Sequence, residues 1–235
     1  MYVHPTCKVH PAVSLAFAAA RSFGLVIACE GRRPVASLLP FRLVETHGKA
    51  PRLEFHVARG NPLGPLAEKG GAWLVAIQGR DAYVSPDWYA SAGQVPTWLY
   101  ETVQLSGPVR VIPAELAGDH MDELSGQFES WLVPKPPWVP HQLSEERREM
   151  LMRAIVVVEM TVESIVGNFK LNQQKADADH VAVASALAQY GDPSAQAIAR
   201  RMIALRPHLD YGASNDTTPA PASVEPAPAP AMAGS

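Results

Sequence analysis

The 235-residue sequence has only two cysteines, Cys7 and Cys29, and neither belongs to a Cys-x-x-Cys pair. That rules out a disulfide framework and favours free thiols in a reducing compartment, so a cytoplasmic location is expected. The eight histidines never fall at the spacings that metal sites use, so no dedicated metal centre is expected. Long apolar runs are missing as well: no segment approaches the roughly 20 apolar residues of a membrane span. Ala12–Ala20 is apolar, but an amphipathic helix accounts for its Ala-rich spacing as well as a signal peptide would. There is no basic excess either. Twenty Lys and Arg stand against 23 Asp and Glu, a net charge of −3, which is poor footing for a stand-alone nucleic-acid binder that must neutralise phosphates. Finally, no nucleophile stands beside an evident base, so nothing signals a hydrolase or transferase.

What is present is a globular composition, 47% hydrophobic and 18% charged, in a chain long enough for one substantial core. Its most informative stretch is Trp73–Gln104. An apolar run ends at Gln78, a Gly-Arg-Asp break follows, and short strand-like pieces at Ala82–Val84 and Thr97–Tyr100 flank a loop rich in Trp, Tyr, Ser and Gln. Such residues suit a planar ligand, because flat rings give contact area while their polar tips still hydrogen-bond. Equally, Trp73, Trp88 and Trp98 could simply fill a barrel core.

The flanking pattern is that of hairpins. A helix over His10–Phe23 precedes strands Leu25–Cys29 and Val35–Pro40, joined by a turn at Gly31. Phe41–Glu45 and Arg52–Val57 form a second hairpin candidate, the latter alternating Leu53, Phe55 and Val57 with Arg52, Glu54 and His56. Arg59-Gly60-Asn61-Pro62 then opens a short helix with Asn61 as its cap, either a plain cap or a phosphate-side element. Leu99–Ile112 reads as a strand bent at Gly107-Pro108, followed by a helix after Pro113 and a Pro-rich connector carrying Trp138. A helix capped by Ser144, a strand over Ile155–Glu163, and a sharp turn at Gly167 come next. Two helices near Asp177–Tyr190 and Pro193–Leu205 close the ordered part; a helix-turn-helix reader is conceivable, but Arg200 and Arg201 are the only basic residues of the second, and a helical hairpin is favoured. The expected division is a domain over 1–206 and a disordered Ala/Pro-rich tail over 207–235, whose composition cannot offset its ordering entropy.

Four blocks in this order closely resemble the FMN-binding negative transcriptional regulators, the PaiB-like family. They are His56-Val57-Ala58-Arg59-Gly60-Asn61-Pro62, Gln78 through Tyr89, Val95 through Tyr100, and Gly167 through Gln173. The resemblance covers residues 1 to about 206. It implies an α+β fold, an antiparallel split β-barrel of the pyridoxamine-phosphate-oxidase type, with peripheral helices and a C-terminal helical pair. It also implies a homodimer with FMN in the cleft between subunits. By that analogy Arg59 and Asn61 serve the phosphate or ribityl side, with Ser37 and Lys170 as further candidates. Gln78, Ser85, Thr97 and Trp98 line the ring and ribityl chain, Trp88 and Tyr100 are aromatic walls, and His56 is a possible donor. Two departures stand out: Ser37-Leu38-Leu39-Pro40 where the family has a Thr-His-Leu-Pro run, and Val166-Gly167-Asn168 where Glu-Gly-Lys is usual. The function implied is FMN-dependent negative regulation of transcription, direct or indirect. The alternative is an FMN-dependent oxidoreductase of a small molecule.

Overall fold

The computed structural model describes residues 1–212, so most of the expected tail lies outside the described residues. The described chain contains nine strands and six α-helices: β1 (Lys8–Val9), α1 (Pro11–Arg21), β2 (Phe23–Glu30), β3 (Arg33–Pro40), β4 (Arg42–Val44), β5 (Arg52–Ala58), α2 (Leu63–Lys69), β6 (Ala72–Val84), β7 (Thr97–Val111), α3 (Ala117–Glu129), α4 (Glu145–Arg153), β8 (Ile155–Thr161), β9 (Ser164–Lys170), α5 (Asp177–Gln189) and α6 (Pro193–Leu205). Seven strands follow one path, β3-β2-β6-β7-β8-β5-β4, while β9 pairs with β1 and β7. The path has two ends, so the sheet is not closed, and the expected antiparallel α+β architecture of split-barrel type is what forms.

By compactness the residues fall into two units. Met1–Gly79 with Thr102–Asn168 make the first, and Arg80–Glu101 with the described residues from Phe169 onward make the second. In the first unit both hairpins form as the sequence predicts: Val26 lies opposite Ser37, and Leu43 opposite Leu53. The inward sets of the strands, Val26, Leu53, Phe55, Val57, Val75, Ile77, Val103 and Leu105, are buried. On β8 both faces are covered: Val157 and Glu159 are buried along with Val156, Val158 and Met160. The reason is that α3 and α4 pack on β8 and cover its second face. Glu159 survives burial because Arg110 Nε donates to it at 2.8 Å and Arg52 lies 3.4 Å away.

Two local expectations change. The Gly79-Arg80-Asp81 break does not interrupt β6, which runs unbroken for 13 residues; Gly, Arg and Asp are poor strand formers, but pairing with neighbouring strands overrides propensity. β7 is a single strand of 15 residues that runs through Gly107, as the sequence predicts. Glycine is required there by close approach, since a Cβ would sit 1.8 Å from the Thr161 carbonyl oxygen. Gly167 likewise makes no sharp turn: it lies within β9 opposite Val9, and a Cβ there would meet Ser14 Oγ at 2.3 Å.

The second unit is built around the α5–α6 hairpin, whose Val183, Leu187, Ile198 and Met202 are fully buried. Asp192 caps α6 by accepting from Ala195 N at 2.7 Å, the role its Asp-Pro pair predicts. Asp179, in the first turn of α5, accepts from the Ser91 backbone N and Oγ, both at 2.8 Å, and so ties the loop before β7 to α5.

Candidate functional site

Within the second unit, four aromatic side chains gather around a cavity of about 530 Å³: Tyr83 near the end of β6, Trp88 in the following 3-10 turn, Trp98 at the start of β7, and Tyr190 after α5. Tyr83 and Trp98 meet edge to face at 6.0 Å, and Trp88 and Tyr190 are 5.9 Å apart. Trp98, 54% exposed, and Tyr83, 47%, hold much of their apolar surface toward solvent. That disposition does not suit core filling; it suits a ligand that would cover the rings. Asp81, Asp192 and Ser194 complete the lining, and Ser194 is itself engaged with the Asp81 backbone, its Oγ donating to Asp81 O at 2.7 Å. Two carboxylates make this the wrong place for a phosphate but leave it open to an uncharged ring.

In the same unit, Lys170 at the end of β9 donates to Thr97 Oγ1 at 2.6 Å. It is half-buried and has no acidic partner among the described residues. Arg201 shows the contrast, its Nε donating to the buried carboxylate of Glu101 at 2.7 Å. An uncompensated ammonium beside a hydroxyl is a cradle for an anion. Ser85 caps the 3-10 turn that carries Trp88, its Oγ accepting from Asp87 N at 3.4 Å, and Tyr100 is half-buried on β7.

The remaining candidates lie in the first unit. Asn61 does cap α2, accepting from Leu63 N at 2.9 Å, and its Nδ2 donates to Ser37 Oγ on β3 at 3.0 Å. Ser37 and Asn61, 24 residues apart, are thus one polar pair. Arg59, exposed at the rim of a cavity of about 280 Å³, is engaged with the backbone. Its Nε donates to the Arg153 carbonyl at 2.9 Å and Nη2 to that of Ile155 at 3.0 Å, joining the end of β5 to the α4–β8 junction. Gln78 is exposed on β6. His56 sits on the outer face of β5, its Nδ1 3.2 Å from Nε2 of His120 on α3. Burial holds both imidazoles below their ordinary value, His120 down to about 4 with further contributions from His56 and Arg42. Both are therefore neutral at pH 7.

Sequence reasoning did not find Tyr83, Tyr190 or His120 as site residues. Tyr83 stands within one of the four blocks, but Tyr190 and His120 reach their partners across 102 and 64 residues, and no local spacing announces that. An isoalloxazine needs flat apolar walls and a phosphate needs donors without competing carboxylates. Within the second unit the Trp88–Trp98 cavity and the Lys170–Thr97 pair supply groups of both kinds, so the residues fit FMN.

Comparison with known proteins agrees with this chemistry. Residues 1–164 match a family model described as "Putative FMN-binding domain". The chain is 29% identical over 205 residues to the Bacillus subtilis protein named protease synthase and sporulation protein PAI 2, an alignment that covers 86% of this chain and 96% of that one. Among solved structures, an FAD and heme binding protein of Mycobacterium smegmatis superposes with a TM-score of 0.50 at 16% identity, covering 92% of this chain and 93% of that one. A conserved hypothetical protein of Mycobacterium tuberculosis reaches 0.52 at 7% identity, covering 74% and 92%. These two likenesses concern the fold. The family match spans most of the sequence, and the chain belongs to the FMN-binding domain family, with FMN as its cofactor.

Proposed function

We propose that this FMN-binding protein is a negative regulator of transcription that works as a homodimer, with the cofactor in the cleft between subunits, and that it acts through a partner more than through tight DNA contact of its own. The observation that carries the flavin part is the set of half-exposed rings around the Trp88–Trp98 cavity. FMN, when bound, supplies hydride or electron chemistry or a redox-sensitive ligand state. This chain's residues would hold and orient it: Trp88 and Trp98 as walls for the ring, and Lys170 with Thr97 for an anionic or electron-rich edge. The regulatory part draws on the resemblance to the PaiB-like regulators and on the relative of B. subtilis whose name refers to protease synthase and sporulation. Indirect action follows from charge. Of the two arginines on α6, Arg201 is tied to Glu101, which leaves Arg200 and a net charge of −3 to face a polyanion.

The test is an absorption spectrum of the purified protein before and after FMN addition and desalting, followed by duplex binding across a salt series. The expected outcome is about one flavin per subunit and an affinity for promoter fragments no higher than for random duplex. Loss of all flavin on desalting would overturn the cofactor assignment in this chain. Rapid bleaching by reduced nicotinamide with turnover on a small acceptor would favour the oxidoreductase alternative.

A further inference from the structure

A second cavity, of about 320 Å³, lies wholly within the first unit, between α3, α4, the Pro-rich connector and the outer face of β5 and β8. Met121, Leu143, Leu151 and Met152 make it aliphatic, Trp138 from the connector forms one wall, and His56, Asp122, Ser125 and Arg148 are its polar groups. Its size is at the small end of ligand pockets, roughly 300–1,000 Å³. It is open to solvent on one side, and methionine-rich linings adapt to the shape of what enters.

The polar groups define what kind of molecule fits. His120 Nδ1 is buried and has no hydrogen-bond partner among the described residues. An orphaned buried N–H is rarer than an orphaned acceptor, so the bare nitrogen is the one left unpaired. The His120 proton then sits on Nε2 and is donated to His56 Nδ1, 3.2 Å away. This fixes the other tautomer in turn: His56 carries its proton on Nε2, which makes no hydrogen bond among the described residues and belongs to a ring that lines the cavity. Arg148 adds further N–H donors, while its charge is balanced by Asp122, which accepts from Nη2 at 2.9 Å. The cavity therefore offers the His56 donor in a mostly apolar lining whose one cation, Arg148, is balanced by Asp122.

We propose that this cavity is a binding site for a small uncharged apolar molecule with a single acceptor end, a ketone or amide of one ring or a short branched chain, whose oxygen accepts from His56 Nε2. The site is separate from the residues that fit FMN in the second unit, and the proposal does not rest on the flavin reading. A regulator of this kind would gain a small-molecule input distinct from its cofactor.

The experiment is calorimetric titration of the full-length protein, saturated with FMN, using 4-phenylbutan-2-one and its isosteric amine, 4-phenylbutan-2-amine, as probes. The expected result is saturable binding of the ketone without release of flavin, with the cationic amine at least tenfold weaker because it brings a donor and a charge to a donor site. Ser125→Phe, which fills the cavity from α3, should abolish ketone binding while FMN titrates as in the parent. If that variant does not melt cooperatively, Ala154→Phe fills the cavity from the opposite side. No saturable ketone binding, equal or tighter binding of the amine, binding that survives the filled cavity, or displacement of flavin by the ketone would each overturn the proposal.

Discussion

The aromatic cavity of the second unit and the aliphatic cavity of the first differ in what their walls can do. The first-named is formed by rigid rings, half-exposed, with carboxylates at its edge and an unmatched lysine elsewhere in the unit. The other is formed by flexible thioethers and leucines beside His56, which burial keeps uncharged along with its neighbour His120. Flat walls select planarity and tolerate little adjustment, whereas methionine walls select apolarity and leave shape open. One protein thus carries a place for a fixed planar cofactor and a place suited to a variable apolar guest, and the difference lies in side-chain stiffness more than in volume.

The sharpest way to separate the two regions is acid. In the folded protein the His120 pKa is near 4, against 6.5 for the free side chain. Below pH 6.5 the unfolded chain takes up a proton that the native state refuses, so stability falls as pH falls through this window and the loss is complete below about 4. Between pH 7 and pH 5 His120 should contribute about 2 kcal/mol of lost stability. Urea midpoints at the two pH values check this, and His120→Phe should flatten the slope, while Trp98→Ala should leave it unchanged.

Next in size is the aromatic side. Trp98→Ala removes a stacking wall and should weaken FMN by about 2 kcal/mol, roughly thirtyfold, in a fluorescence-quenching titration. Equal loss from Ser125→Phe would erase the distinction between the cavities. Lys170→Met keeps the length of the side chain and removes its charge, so FMN affinity should drop about fivefold, some 1 kcal/mol, with a weaker dependence on salt than the parent shows. The smallest expected effect is Asn61→Ala, which removes the cap of α2 and the bond to Ser37. It should cost about 0.5–1 kcal/mol in thermal or denaturant unfolding.

Much of this is legible without coordinates. The two hairpins, the caps at Asn61, Ser144 and Asp192, and the helical ends near Arg21 and Leu205 follow from local chemistry, because alternation, capping oxygens and Pro or Gly punctuation act over a few residues. Gly167 escapes such reading for the converse reason: its missing side chain answers to Ser14 and Val9, more than 150 residues earlier in the chain. The unbroken β6 belongs with it, since ladder pairing outweighed the weak strand preference of Gly79-Arg80-Asp81.

The sequence by itself determined the antiparallel plan, the absence among the described residues of a helix long and apolar enough to cross a membrane, and the family through four ordered blocks. Periodicity and motif spacing are local quantities, and a sequence displays them directly. Tertiary structure alone decided that Trp88 meets Tyr190, that His56 meets His120, that Arg59 is occupied by two backbone carbonyls, and that Glu159 could be buried beside Arg52 and Arg110. Each of these is a contact between distant positions whose energy depends on burial and on what else stands within about 4 Å, and no stretch of sequence holds that information until the chain has closed on itself.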